Sequence, residues 1–313
     1  MSWLRDGWHW LGDEPRQRMG TRLLEISIGA MLLFRVFTEA RFASYLWGPR
    51  GIGWGSTVYM FGDTLGRLLD RAFATEAGTA GVLAALALAA FGLLSGYGGR
   101  IATALALVAF VLLETRLPEI PDGGDNITRL VLTYMLFLVP GRAKPARGSL
   151  GVWFHNVAVL AIAFQITILY ATSGMMKASG DRWHHGVAMY YISQVEWFSL
   201  PALREMFRNP LMVVLASYIP LFYQILFPLA MLSRVKLLWL ALGIGFHLGV
   251  AVFMGLITFS TAMIGMELFL ISDGEYASML QRMRSLRDRL SALGRAKVAS
   301  PTQEATTSMG DRG

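Results

Sequence analysis

The sequence predicts an all-α, polytopic transmembrane bundle of about eight spans, with both termini cytoplasmic. Three observations carry that expectation. First, 54% of the 313 residues are hydrophobic and 16% are charged, with a mean hydropathy of +0.47. Soluble domains carry about 25% charged residues, too many for this chain to resemble one. Second, four tracts (77–99, 149–176, 209–233 and 237–266) contain no Asp, Glu, Lys or Arg. Each meets the roughly 20 residues a helix needs to cross a bilayer core. Third, most of the Lys and Arg fall between apolar tracts in alternate loops, as the positive-inside rule requires.

Taken in order, 1–22 reads as a cytoplasmic amphipathic segment, basic and rich in tryptophan (Trp3, Trp8, Trp10). No small-residue cleavage site follows it, so the first apolar helix is expected to remain as an uncleaved anchor. That span is 23–45 and carries Glu25, Arg35, Glu39 and Arg41. The spans that follow are 77–99, 100–117, 127–140, 149–176 and 209–233. The tract from 237 to 271 is too long for one crossing, so it divides near 255–261 into the seventh and eighth. Segment 273–313 is a basic cytoplasmic tail, with apolar Leu280, Met283, Leu286, Leu290 and Leu293 on one helical stripe suited to the inner leaflet. Its last dozen residues are expected to be disordered.

With the N-terminus inside, the cytoplasmic charges are Arg5, Arg16, Arg18, Arg22, Arg100, Arg142, Lys144, Arg147, Arg234 and Lys236. Seven of the 28 basic residues lie after Glu275. Arg50, Arg67 and Arg71 in the exterior segment 46–76 run against the rule. A bacterial inner membrane is the expected location.

Several function classes fall away. Cysteine is absent, which removes disulfides, thiolate metal sites and dithiol redox chemistry. The five histidines are His9, His155, His184, His185 and His247; the only neighbours, His184 and His185, do not share a helical face, so no metal is expected. The basic residues show no aromatic interleaving, so no nucleic acid partner is expected; the expected partner is the lipid bilayer. A proton-coupled transporter would show broken helix pairs and chains of intramembrane carboxylates, and neither is present.

Ionisable groups inside a span face a partner or a cavity. Arg35 and Glu39 lie one turn apart on one face. His247 and Glu267 sit within late spans, and Gln165 and Gln224 sit mid-helix. One reading is a polar network locking the bundle, with Arg35 paired to Glu39 or Glu267. The other is a pocket for a polar headgroup. The stretch QITILYATSGMMKASGDRWHHGVAMYY (165–191) is the most informative. Its apolar helix is expected to end at Thr172–Gly174, with Lys177 following at the outer edge of the bilayer. A lysine there either snorkels to headgroups among interfacial aromatics or, desolvated at a helix end, serves as a general base.

The pattern Tyr170, Ser173, Gly174, Lys177, Trp183, Gly186 resembles the region after the fifth helix in the vitamin K-dependent γ-carboxylase (HTTM) family. LLFRVFTEARFASYLWGPRG resembles that family's first helix and outer loop through Arg35, Glu39, Arg41, Tyr45, Gly48 and Pro49. FHLGVAVFMGLITFSTAMIGMELFLI resembles its penultimate helices through His247, Met254, Phe259 and Ser260. The likeness runs over about 20–272. It implies an enzyme with Lys177 as general base toward vitamin K hydroquinone or menaquinol. Arg35, Glu39, Arg41, Tyr170, Trp183 and His247 would bind substrate at the outer face, with a peptide or protein as acceptor. Two positions depart from the family: Asn126 lacks an accompanying histidine, and Gln224 stands where relatives commonly carry Glu. The alternative is a non-catalytic membrane protein for maturation of, or immunity to, a secreted peptide.

Overall fold

The computed structural model describes residues 2–49, 51–53, 55–118 and 123–299, which are predominantly helical with no β-strand among them. Arg50 and the last dozen residues, on which two expectations rest, lie outside the described residues. In chain order the helices are α1 (Ser2–Gly12), α2 (Arg18–Glu39), α3 (Ala43–Leu46), α4 (Val58–Phe73), α5 (Glu76–Ser95), α6 (Gly99–Arg116), α7 (Gly123–Met135), α8 (Leu150–Ser179), α9 (Asp181–His184), α10 (Ala188–Ser193), α11 (Pro201–Met206), α12 (Pro210–Met231), α13 (Lys236–Met254), α14 (Ile257–Phe269) and α15 (Asp273–Ala299). Helices α5, α8, α12 and α13 are long and apolar enough to cross a bilayer. The chain is an integral membrane protein.

The bundle is built around α2, which packs against α5 and α14. Small residues permit the close approach, as in membrane interfaces generally. A Cβ at Gly29 would stand 2.8 Å from the Ala90 carbonyl of α5. One end of the bundle is tied by basic side chains reaching backbone carbonyls at a helix end and in a loop. Arg22 donates to the Leu93 carbonyl at 2.7 Å and to that of Leu94, and pairs with Glu25 at 2.8 Å. Arg18 donates to the carbonyls of Gly141 and Ala143. The Leu93 and Leu94 carbonyls belong to the last turn of α5, where intrahelical donors run short, and those of Gly141 and Ala143 lie in the loop after α7. The same end holds α1 through Asn156, whose amide donates to the Leu11 and Glu14 carbonyls, both at 2.9 Å, and accepts from the Arg16 amide. His155 accepts from the Val139 amide through Nδ1, so its Nε2–H donates to the Arg16 carbonyl at 2.6 Å.

Several expected boundaries move. Span 23–45 begins earlier, at Arg18, and after Glu39 gives way to a 3-10 turn at Ala40–Phe42 and then α3. The 1–22 segment therefore ends inside α2. Helix α7 stops at Met135, short of Pro140, which cannot continue a helical ladder. The long apolar tract breaks at Gly255, whose φ of 70° closes α13 in the left-handed region.

The described residues between α3 and α5 are held by polar side chains. Arg116 donates to the Gly53 and Gly55 carbonyls at 2.9 and 2.7 Å. Asp70 accepts from the Ser56 hydroxyl and from both the amide and hydroxyl of Thr57. Desolvation pushes the Asp70 carboxyl up, but those hydrogen bonds outweigh it and hold it below the usual carboxylate range.

Contacts divide the chain into two units, Met1–Ile271 and Ser272–Gly313. In the second, α15 is a single helix longer than the 276–293 stretch expected, and its Leu280, Met283, Leu286 and Leu290 are exposed.

Candidate functional site

Helix α8 runs through Thr172, Ser173 and Gly174 to Ser179, rather than ending there. Gly174 serves packing instead of termination: a Cβ would stand 2.8 Å from the backbone nitrogen of Ile225 on α12. The unbroken helix places Tyr170, Ser173 and Lys177 on one face, at i, i+3 and i+7. At 1.5 Å per residue its 30 residues extend about 45 Å, longer than a hydrocarbon core of about 30 Å, and Lys177 lies in its last turn.

That face fronts a cavity of about 860 Å³, walled by α7, α8, α12, α13 and α14 and capped by residues of the 189–207 segment. The lining is mainly apolar, including Phe246, Phe253, Phe259 and Met263. Its polar members are Asn126, Gln165, Ser173, Lys177, Gln224 and His247, with Tyr170 and Trp183 beside them. Such a mix, mostly apolar with a few converging polar groups, typifies small-molecule sites, whose volumes run to about 1,000 Å³. Lys177 is half-buried, and its Nζ lies 5.3 Å from the Trp183 ring centroid. It makes no hydrogen bond or ion pair with any described residue, so no carboxylate holds its proton.

Behind the cavity lies a buried network. The Tyr170 hydroxyl donates to Glu267 Oε1 at 2.5 Å and lies 2.8 Å from His247 Nε2; Tyr223 donates to the same oxygen at 3.2 Å. Because the Tyr170 proton goes to Glu267, His247 carries its own on Nε2 and donates to Tyr170. Gln224 Oε1, His247 Nδ1 and Glu267 Oε2 are buried without a hydrogen-bond partner. Tyr223 also stacks on Trp239, with centroids 5.5 Å apart.

Four of the seven expected site residues thus meet at this cavity: Tyr170, Lys177, Trp183 and His247. The other three do not line it. Arg35 pairs with Glu39 at 3.0 Å and with Asp125 on α7, and stands 5.1 Å from the Phe110 ring. The expected alternative, an Arg35–Glu267 pair, is not formed: Arg35 is engaged by Glu39 and Asp125, and Glu267 by two tyrosines. Arg41 is exposed against Phe42. Asn126 also lines a second pocket of about 320 Å³ with Glu114 and Arg129. Sequence reasoning missed Tyr223 entirely. It sits beside Gln224 in an aromatic-rich apolar span, where nothing distinguishes a hydroxyl with a buried partner from a lipid-facing one.

No family profile matches the sequence, and no solved structure matches it. Among curated proteins it is similar to the uncharacterized protein YitO of Bacillus subtilis strain 168, at 28% identity over 160 residues. The match covers 46% of this chain and 52% of the relative, so the chain spans about half the length of the curated protein it matches.

Proposed function

We propose that the protein is a carboxylase-like membrane enzyme acting on a quinol, such as vitamin K hydroquinone or menaquinol, or on another lipid-soluble molecule, with Lys177 as general base. One observation carries this reading: a lysine without a carboxylate partner fronts a large, mainly apolar cavity at the end of a membrane-spanning helix. A fused-ring quinol fits the chemistry of the lining. Its ring suits Trp183, Phe246 and Phe259, and its hydroxyls suit the unpartnered acceptors Gln224 Oε1 and His247 Nδ1. Lys177 would take a hydroxyl proton, Trp183 would hold the amine in place, and the apolar walls would exclude water. A peptide or protein glutamate is the acceptor class this reading implies.

In the same proposal the chain crosses a bacterial inner membrane eight times, with both termini inside and Lys177 at the outer face. The alternating ends support it. The starts of α2, α6 and α8 and the ends of α5, α7 and α14 are tied together, while Arg35, Glu39 and Asp125 meet at the opposite end of α2. If the site is instead non-catalytic, serving maturation of or immunity to a secreted peptide, the lysine has no chemical task.

Oxygen consumption and quinol oxidation by protein in nanodiscs test the reading. Lys177→Ala is expected to lower turnover about 10²-fold or more, the range for a lost general base, with the thermal midpoint unchanged. Absence of quinol-dependent turnover in the folded wild type overturns it.

A further inference from the structure

The cavity has a second distinctive wall. On α13, Gly245 and Gly249 both line it, one helical turn apart. A Cβ added at either position meets nothing within 4 Å. Helix packing therefore does not require these glycines, in contrast to Gly243 on the same helix, where a Cβ would stand 2.1 Å from both Glu267 Oε1 and the Tyr223 hydroxyl. The missing side chains leave free volume on the cavity side. From α12, Ala216, Ile219 and Pro220 line the same cavity. Pro220 has no N–H to donate, so the Ala216 carbonyl one turn earlier has no i+4 amide partner within the helix.

Much of this wall is on the exposed surface of the bundle. Both α12 and α13 are among the helices long and apolar enough to span, and 17% of the α13 span is buried, the least of the four. Ile219 is 62% exposed and Phe253 41% exposed while both line the cavity. A cavity whose apolar lining residues are also on the lipid-facing surface is open toward the hydrocarbon. An independent sign of a ligand lies at its inner end: Gln224 is 6% exposed, lines the same cavity, and has its Oε1 without a partner.

We propose that the slot between α12 and α13, bordered by Gly245 and Gly249, is a lateral portal through which the long apolar tail of an amphiphilic substrate extends into the bilayer while its polar head stays at Lys177 and Gln224. The substrate class is then a ring or headgroup bearing a long prenyl or acyl chain, and Gly245 and Gly249 determine tail specificity. The inference rests on the quinol reading above and adds to it which part of the molecule the protein selects.

The test measures binding in nanodiscs of menadiol, which has the ring and no tail, and of menaquinol-4, which carries a prenyl tail. Gly249→Leu and Gly245→Leu each put a side chain into the slot. Each is expected to weaken menaquinol-4 binding about tenfold or more, as overfilling a packed site does, and to leave menadiol within about twofold. Equal weakening of both, or of neither, overturns the portal. A menaquinol analogue with a photoreactive tail end, used on the wild-type protein, gives an answer that needs no folded variant. Labelling within 216–253 supports the portal, and labelling confined to α7 and α8 overturns it. If the wild type binds neither menadiol nor menaquinol-4, the quinol reading fails and the portal with it. Menadiol binding with tail labelling elsewhere sinks the portal alone.

Discussion

Glu267 shows how a single buried carboxylate organises the protein's interior. It is fully buried on α14 and accepts from Tyr170 of α8 and Tyr223 of α12, so one oxygen joins three helices. In hydrocarbon a charged or polar group of this kind requires partners. Glu267→Ala leaves two buried hydroxyls without an acceptor, each costing roughly 1–3 kcal/mol, moderated by their freedom to find other partners in a membrane interior. A loss of about 2 kcal/mol is therefore expected, read as a lower thermal midpoint in nanodiscs. Glu267→Gln keeps an acceptor oxygen and is expected to lose less than half as much. Equal losses would mean that the carboxylate charge, rather than the hydrogen bonds, sets the stability. Lys177 is the opposite case: it joins no network, and its removal is expected to cost activity and little stability.

At the scale of elements, α13 carries two kinds of glycine with opposite purposes. Gly243 lets α13 approach the Tyr223 and Glu267 side chains, while Gly245 and Gly249 keep a wall free. Gly243→Ala is expected to destabilise by about 1–3 kcal/mol, since the new methyl must displace hydrogen-bonded groups. Gly245→Ala is expected to be neutral or slightly stabilising, because alanine favours helix and the space is open. Comparing their unfolding midpoints checks both, and a destabilised Gly245→Ala would remove the basis for an open wall. Helix α8 makes a related point. Its continuation past Gly174 turns what reads as a chain break into a packing contact, and it keeps Lys177 on the face of Tyr170.

For the whole molecule, the proposed eight crossings divide the loops into two sets that chemistry can distinguish. The chain contains no cysteine, so single cysteines report without background. In right-side-out vesicles an impermeant maleimide is expected to label Ser179→Cys, and to label Lys144→Cys and Ser285→Cys only after lysis. Labelling of Lys144→Cys in intact vesicles would reverse or break the topology. The arginines that serve the positive-inside pattern have a second task at that end of the bundle. Arg22 donates to a carbonyl in the last turn of α5 and Arg18 to one in the loop after α7, so both tie the backbone at this end as well as carry its charge.

Much of the architecture is written in composition. Charge-free tracts of the length of a bilayer force helices, because an unsatisfied backbone in hydrocarbon costs several kcal/mol per group. The break at Gly255 and the charged i, i+4 pair of Arg35 and Glu39 are local features, readable at one or two turns. So is the suspicion attached to Lys177, a cation next to a long apolar run. What only the tertiary structure decided is which polar groups meet. Arg35 turns to Asp125 rather than Glu267, and Tyr223 becomes a partner of Tyr170. Gly174 becomes a contact with α12, and of the seven candidate residues four share a cavity while three do not. Those outcomes depend on the rotation and neighbours of each helix, which are set by packing across the bundle. An apolar span carries almost no periodicity to announce them, since lipid and protein interior are equally apolar to its side chains.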